Sequence, residues 1–221
     1  MRRHHYSGKV VNNSQLHFGA FLDGTLHGVM SYDPSMDKRK TIGLVEGTGW
    51  NEFLELNRMA FDEYLPRNSE SRCIGQSIRM IKRNAPHIKW IISFADGAQC
   101  GDGTIYRASN FVLTGINKNK SLIRFPTGDI IANMTITANA GEKCMKDICK
   151  KMNISFIYRT LSDWKALGAV PIEGYQLRYI YFIDKRCREK LTVPVLPFSA
   201  IDEMGAGMYR GERITQAERH K

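Results

Sequence analysis

Residues 53–94 read FLELNRMAFDEYLPRNSESRCIGQSIRMIKRNAPHIKWIISF. In Phe53–Phe61, Leu54 and Leu56, joined by Met59, face one way and Glu55, Asn57 and Arg58 another, which is strand patterning. Pro66-Arg67-Asn68-Ser69-Glu70 breaks that pattern and offers an N-cap. Cys73, Ile74, Ile78 and Ile81 then recur at helical spacing, with Arg72, Arg79, Lys82 and Arg83 on the opposite face. The spacing predicts a helix from about 69 to 84 that stops before Pro86. Lys89–Phe94 is a continuous apolar run of the kind buried at the centre of a sheet. Strand, helix and strand in this order form a crossover unit, so the class is α/β.

On the N-terminal side, His17–Tyr32 (HFGAFLDGTLHGVMSY) has two apolar runs flanking Asp23-Gly24, a hairpin signal. Residues 33–50 are expected to be a long loop with a short helix. On the C-terminal side comes a glycine-rich loop, Asp96–Gly103, then a short helix, Thr104–Ser109, and a strand, Phe111–Gly115. Asn117–Lys120 reads as a polar turn, and 142–152 as an amphipathic helix with Met145, Ile148, Cys149 and Met152 inward. Ser162–Leu167 reads as a helical turn ending at Gly168, and Gln176–Asp184 as a strand. The expectation is a single domain over 1–221, with about 116–175 an insertion or extension and 203–221 a flexible tail.

The chain has 221 residues, 43% hydrophobic and 24% charged, which excludes a wholly disordered or fibrous protein. It has no run of roughly 20 apolar residues and no apolar segment after Met1-Arg2-Arg3-His4-His5-Tyr6. A soluble, cytosolic protein with no membrane partner is expected. Lys and Arg number 32 against 22 Asp and Glu, a net charge of +10. That balance fits a polyanionic partner. The five cysteines form no Cys-x-x-Cys and read as free thiols.

Several places could carry chemistry. Arg67–Arg72 (RNSESR) sits where a strand gives way to a helix start, where free N–H groups and the helix dipole favour an anion. An ordinary capped helix with solvated arginines is the alternative. Asp96 follows a buried strand, at the sheet edge where ligands collect in open α/β folds, and could serve as a general base. It could also be an Asx-turn residue. Tyr106 could present its phenol to a leaving group or be a core tyrosine. Adjacent His4 and His5 would point to opposite faces of an extended chain and rarely share an ion. Trp50, Tyr64 and Trp90 could stack on bases or belong to the core.

The order of elements resembles the GCN5-related N-acetyltransferase fold, a mixed central sheet flanked by helices. That resemblance implies a pyrophosphate cradle at RNSESRCIGQ (67–76), which keeps only Gly75 of the usual glycine signature. It also implies a closing helix and strand at TIYRASNFVLTG (104–115). More specifically, ELNRMAFDEYLPRNSESR (55–72), HIKWIISFADGAQCGDGTIYRASNFVLTG (87–115) and SMDKRK (35–40) resemble the phage Mom family of DNA adenine-modification proteins.

The Mom resemblance implies conversion of DNA adenine to N6-carbamoylmethyladenine, which shields phage DNA from host restriction. It implies catalytic roles for Asp96, Tyr106, Ser71 and Arg58. Arg67, Ser69, Ser71, Arg72 and Gly75 would hold the cofactor or donor, and Arg79, Lys82 and Arg83 would contact double-stranded DNA. It also implies iron at His5 and Tyr6. The product carries a CH2 on N6 and a terminal carboxamide, so simple acetyl transfer does not make it. The donor is either an acyl-CoA or a glycine-derived group such as glycyl-tRNA, with tRNA then a second partner. Two rivals stand beside this reading: a conventional acyl-CoA-dependent N-acetyltransferase acting on a protein or small amine, and a non-catalytic DNA-binding protein.

Overall fold

The computed structural model describes residues 14–97, 101–120, 122–137 and 141–208, with 212, 214, 215 and 218. Two strands, β1 (Leu16–Leu22) and β2 (Thr25–Asp33), form the expected hairpin. It turns at Asp23 and Gly24 with φ of 48° and 78°, the doubly positive pair that keeps a hairpin's twist. The following loop holds a short helix, α1 (Lys38–Thr41), and a 3-10 turn, Ile42–Leu44.

Next come β3 (Phe53–Phe61), α2 (Ser69–Asn84), β4 (Trp90–Asp96), α3 (Thr104–Ala108) and β5 (Val112–Lys118). Helix α2 buries Ile74, Ser77, Ile78 and Ile81, while Cys73 is half-buried. Asp96 is the last residue of β4 rather than a loop residue beyond it. Strand β5 runs through Lys118, so the polar turn expected at 117–120 begins later. After it lie β6 (Leu122–Arg124), β7 (Ile130–Ala132), α4 (Asn133–Thr137), α5 (Glu142–Lys151), α6 (Leu161–Ala166) and β8 (Val170–Pro171). Strand β9 (Tyr175–Phe182), a 3-10 turn at Lys185–Lys190 and α7 (Ser199–Glu203) complete the order.

The chain divides into two compact units: residues up to Ile116 with those from Gln176 onward, and Asn117–Tyr175. The first holds a mixed sheet in the order β1-β2-β3-β4-β9-β5, with β3 and β4 parallel and β1/β2, β2/β3 and β4/β9 antiparallel. This is the mixed central sheet that the acetyltransferase resemblance implied. The rings of Phe53 and Trp90 stack face to face, with centroids 4.4 Å apart, among Val45, Ile92, Ile180 and Cys187. Trp90 is thus a core residue, while Trp50 and Tyr64 are exposed. Each such fully buried side chain contributes about 1.5–3 kcal/mol of transfer free energy. Within the stretch from 203, expected to be a flexible tail, Glu203, Met204 and Gly205 are exposed, while Ala206 and Met208 are buried and the Met208 carbonyl accepts from Asp102 N–H.

The second unit has its own core, in which Ile123, Phe125, Ile131, Met145, Ile148 and Trp164 meet. Its three short strands pair in the order β7-β6-β8. Thr160 and Asp163 close a reciprocal capping box at the start of α6. The unit's two ends are tied together, because Asn119 N–H donates to the Gly174 carbonyl at 2.8 Å and Asn119 Nδ2 to that of Ile172 at 2.8 Å.

Among the described residues, no helix is long and apolar enough to cross a membrane.

Candidate active site

The parallel strands β3 and β4 are paired only from Phe53/Trp90 to Leu56/Ser93. Beyond that rung β3 pairs only with β2, and β4 only with β9. Two features mark the parting. Ser93, fully buried, donates its hydroxyl to the Leu56 carbonyl at 2.7 Å. And β3 bulges: Leu56 faces Tyr32 and Arg58 faces Ser31, leaving Asn57 unpaired between them. A bulge bends its strand and re-aims side chains, and bulges gather near active sites. The cleft opens at the carboxyl ends of β3 and β4, the edge from which α2 also starts.

The bulge gathers polar residues from β2 and β3. Asn57 Nδ2 donates to Asp33 Oδ2 in a very short contact, and to Ser14 Oγ at 3.5 Å. Arg58 Nη1 donates to the Asn57 carbonyl at 2.8 Å. Asp33 is 1% exposed, and burial, then Glu55, push its carboxyl up to about 6 against the opposing pull of Arg58 and Asn57. Burial also raises Glu55, against its bonds to Ser35 and the Met36 backbone and the charge of Arg58. Strict alternation would put residues 55 and 58 on opposite faces of β3. The extra residue at the bulge accounts for Glu55 and Arg58 sharing one electrostatic neighbourhood. Asp33 Oδ1, Asn57 Oδ1 and Arg58 Nε are buried with no hydrogen-bond partner.

At the helix start, Asn68 takes the left-handed conformation, with φ 67°, and caps nothing with its side chain. The Ser69 hydroxyl donates to the Pro66 carbonyl at 2.6 Å, and Ser71 to that of Asn68 at 3.1 Å. The hydroxyls therefore knit the turn, and neither caps the helix. Arg67 and Arg72 are exposed. A Cβ built on Gly75 meets nothing within 4 Å, so nothing in the chain itself requires glycine there. Arg79, Lys82 and Arg83 lie on the exposed face of α2, about 12–18 Å along its axis from Ser71. The structure does not bring them to the cleft.

Tyr106 is 8% exposed, packed between the rings of Phe111 and Tyr179 at 5.5 and 5.2 Å. Burial holds the phenol of Tyr32 well above its ordinary value, and that phenol shares a 2.6 Å hydrogen bond with Ser77 of α2. Gly103 fixes the entry to α3. Its φ is 82°, and a Cβ there would lie 2.5 Å from the Tyr179 ring. Asp96 thus ends β4 and Ser71 stands in the first turns of α2, while Arg58 lies at the β3 bulge and Tyr106 is packed among aromatic rings within α3. Asp33, Glu55 and Asn57 are additions that sequence reading missed. Their signal was the adjacent polar pair Asn57-Arg58, which interrupts the alternation of FLELNRMAF.

His5 and Tyr6 lie outside the described residues. Among the described residues, no group of three His, Cys, Asp or Glu could hold a metal ion.

The mixed sheet, with β3 and β4 parallel and parting beside the start of α2, is the arrangement that the acetyltransferase resemblance implied. The chain belongs to the Mom protein family, whose model matches residues 1–200. It is 33% identical over 189 residues to the methylcarbamoylase Mom of Escherichia phage Mu, covering 85% of this chain and 72% of that one. Among solved structures it is similar to a ribosomal-protein-alanine N-acetyltransferase of Brucella melitensis, at TM-score 0.39 and 11% identity over 76% of this chain and 68% of that one. It is also similar to a Bacillus subtilis acetyltransferase in complex with CoA, at TM-score 0.39 and 10% identity over 76% of each chain.

Proposed function

We propose that this protein modifies the N6 amine of adenine in phage DNA, with N6-carbamoylmethyladenine as the product. Membership of the Mom family, together with 33% identity to a methylcarbamoylase, is the observation that carries this reading. The net charge of +10 supports a DNA substrate. The adenine amine is out of reach inside a duplex, so the base leaves the stack before it reacts.

The parted strands offer places for the parts of the reaction. With a glycyl ester as donor, N6 forms its bond to the CH2 carbon as that carbon's bond to the amino group breaks. The amine so released replaces the tRNA oxygen on the carbonyl, so that the carboxamide forms and the tRNA hydroxyl leaves. Asp96, at the end of β4, takes the proton that N6 loses. Tyr106 supplies a proton to the leaving group. The start of α2, with Ser71, Arg67 and Arg72, holds the anionic part of the donor, and Arg58 stands at the reacting base. The donor is an acyl-CoA or a glycine-derived group such as glycyl-tRNA; the carboxamide of the product favours the second. Arg79, Lys82 and Arg83 contact phosphates of the duplex away from the reacting base.

The test is to express the chain in bacteria beside a plasmid, digest the plasmid to nucleosides and weigh the deoxyadenosine. A product in which CH2CONH2 replaces one hydrogen supports the reading, and its loss in Asp96→Asn locates the base. Unmodified deoxyadenosine from folded protein in a host supplying both donors would overturn it.

A further inference from the structure

We propose that Asn57 recognises the exocyclic amine of the adenine and that Asp33 is its positioning residue, an inference that rests on the DNA-adenine reading above. The argument begins with the direction of one amide. An ionised carboxylate only accepts hydrogen bonds, so Asn57 must turn its nitrogen to Asp33. Its carbonyl oxygen is thereby fixed as an acceptor on the other side. That oxygen has no partner, and it is closed off from water. The next side chain supplies the opposite polarity, because Arg58 Nε can only donate and is likewise buried and unpartnered.

A buried donor or acceptor left unmet is costly, and native structures rarely tolerate one without a use. Solvent cannot serve these two, so the group that does must displace what now covers them. An acceptor beside a donor is the complement of the adenine edge, where an N6–H donor adjoins the N1 acceptor. Guanine presents the reverse order there, an O6 acceptor beside N1–H. The stoichiometry of the reaction agrees. N6 carries two hydrogens, one leaves as the N6–carbon bond forms, and the secondary amine of the product keeps the other. The hydrogen held by Asn57 is the one retained. The acceptor also stands at the bulge where β3 leaves β4, at the mouth of the cleft.

The experiment uses the purified full chain and two duplexes. One carries adenine opposite an abasic site; the other carries purine, which lacks the amine, at the same place. The wild type is expected to bind the adenine duplex at least about tenfold more tightly. Asn57→Ala and Asp33→Ala should each erase that preference while still binding the purine duplex. The double variant should be no worse than Asn57→Ala, since Asp33 acts through Asn57. Asn57→Gln, which displaces the carbonyl oxygen by one CH2, serves the same purpose should Asn57→Ala fail to fold. A preference retained in the Asn57 variants, or a further loss on adding Asp33→Ala, overturns the proposal. Equal binding of both duplexes by a wild type that modifies plasmid adenine overturns it and leaves the broader reading standing. Unmodified plasmid adenine removes both.

Discussion

The hydroxyl of Ser93 and the carbonyl of Leu56, 2.7 Å apart, close the last rung between β3 and β4. The bond lies in the core, where a polar group must find its partner within the protein. Ser93→Ala would leave the Leu56 carbonyl without that donor at the point where the cleft begins. We expect a loss of about 1 kcal/mol, read as a fall of about 2–4 °C in the melting temperature. Plasmid modification should fall by more than the unfolded fraction explains, because the change sits at the fork of the two strands.

Asp33 makes stability depend on pH. Its folded carboxyl titrates at about 6, above its ordinary value of 3.8. The folded state therefore holds a proton that the unfolded chain releases. This contribution is fully present below about 4 and is lost as pH rises to about 6, by on the order of 3 kcal/mol. In Asp33→Asn that segment should flatten, so the variant gains on wild type as pH rises from 4 to 7. Denaturant titration of both proteins at pH 4.5 and 7 checks it. A variant whose stability difference from wild type is the same at both values would show that Asp33 does not titrate in this range.

Asn68 opens α2 at φ 67°, where β-branched residues are strained. Asn68→Gly should match or exceed wild-type stability. Asn68→Val should cost about 1–2 kcal/mol and displace the turn that holds Ser69 and Ser71. Thermal melts of the two variants give the sign of each.

Trp164 is 2% exposed and meets Phe125 edge-on at 5.2 Å in the Asn117–Tyr175 unit. Trp164→Ala should cost that unit about 3–5 kcal/mol. Calorimetry should then resolve a low-temperature transition that the wild type lacks.

Arg67 and Arg72 are exposed at the mouth of the helix start. As groups that hold the donor, they should leave the slope of log duplex affinity against log salt unchanged in Arg67→Gln with Arg72→Gln, whereas Arg79→Gln with Arg83→Gln should lower it by about 2. A slope lowered by the first pair would assign Arg67 and Arg72 to DNA phosphates instead.

The hairpin, β3, α2 and β4 were legible because each is long, patterned or continuously apolar, and punctuated. Asp23-Gly24, Pro66 and Pro86 mark their limits, and α2 spans the predicted residues. The Asn117–Tyr175 unit was less legible, since its strands have three, three and two residues, too few to display a period. The polar cluster at the bulge was hidden for another reason. Asp33 and Asn57 stand 24 residues apart, and their pairing follows from a register shift that no local pattern encodes. Asp96 and Tyr106 were marked by their places after a buried strand and in a short helix, and Ser71 by its segment at a helix start, before the family resemblance gave them roles. Asp96 proved to close its strand, because its pairing with Gln176 of β9 extends β4 by two residues beyond the apolar run.

The place of β9 in the sheet bears on how the chain is made. It lies between β4 and β5, yet it emerges from the ribosome after both, with Asn117–Tyr175 intervening. Until residues 175–182 appear, β4 and β5 border an empty slot, and each presents an unpaired edge open to other chains. The hydrogen bonds that tie the ends of the intervening unit shorten the effective loop that β9 must close, so early folding of that unit lowers the entropic cost of filling the slot. The central sheet is thus completed late, and synthesis cut short anywhere before β9 releases a chain primed to aggregate.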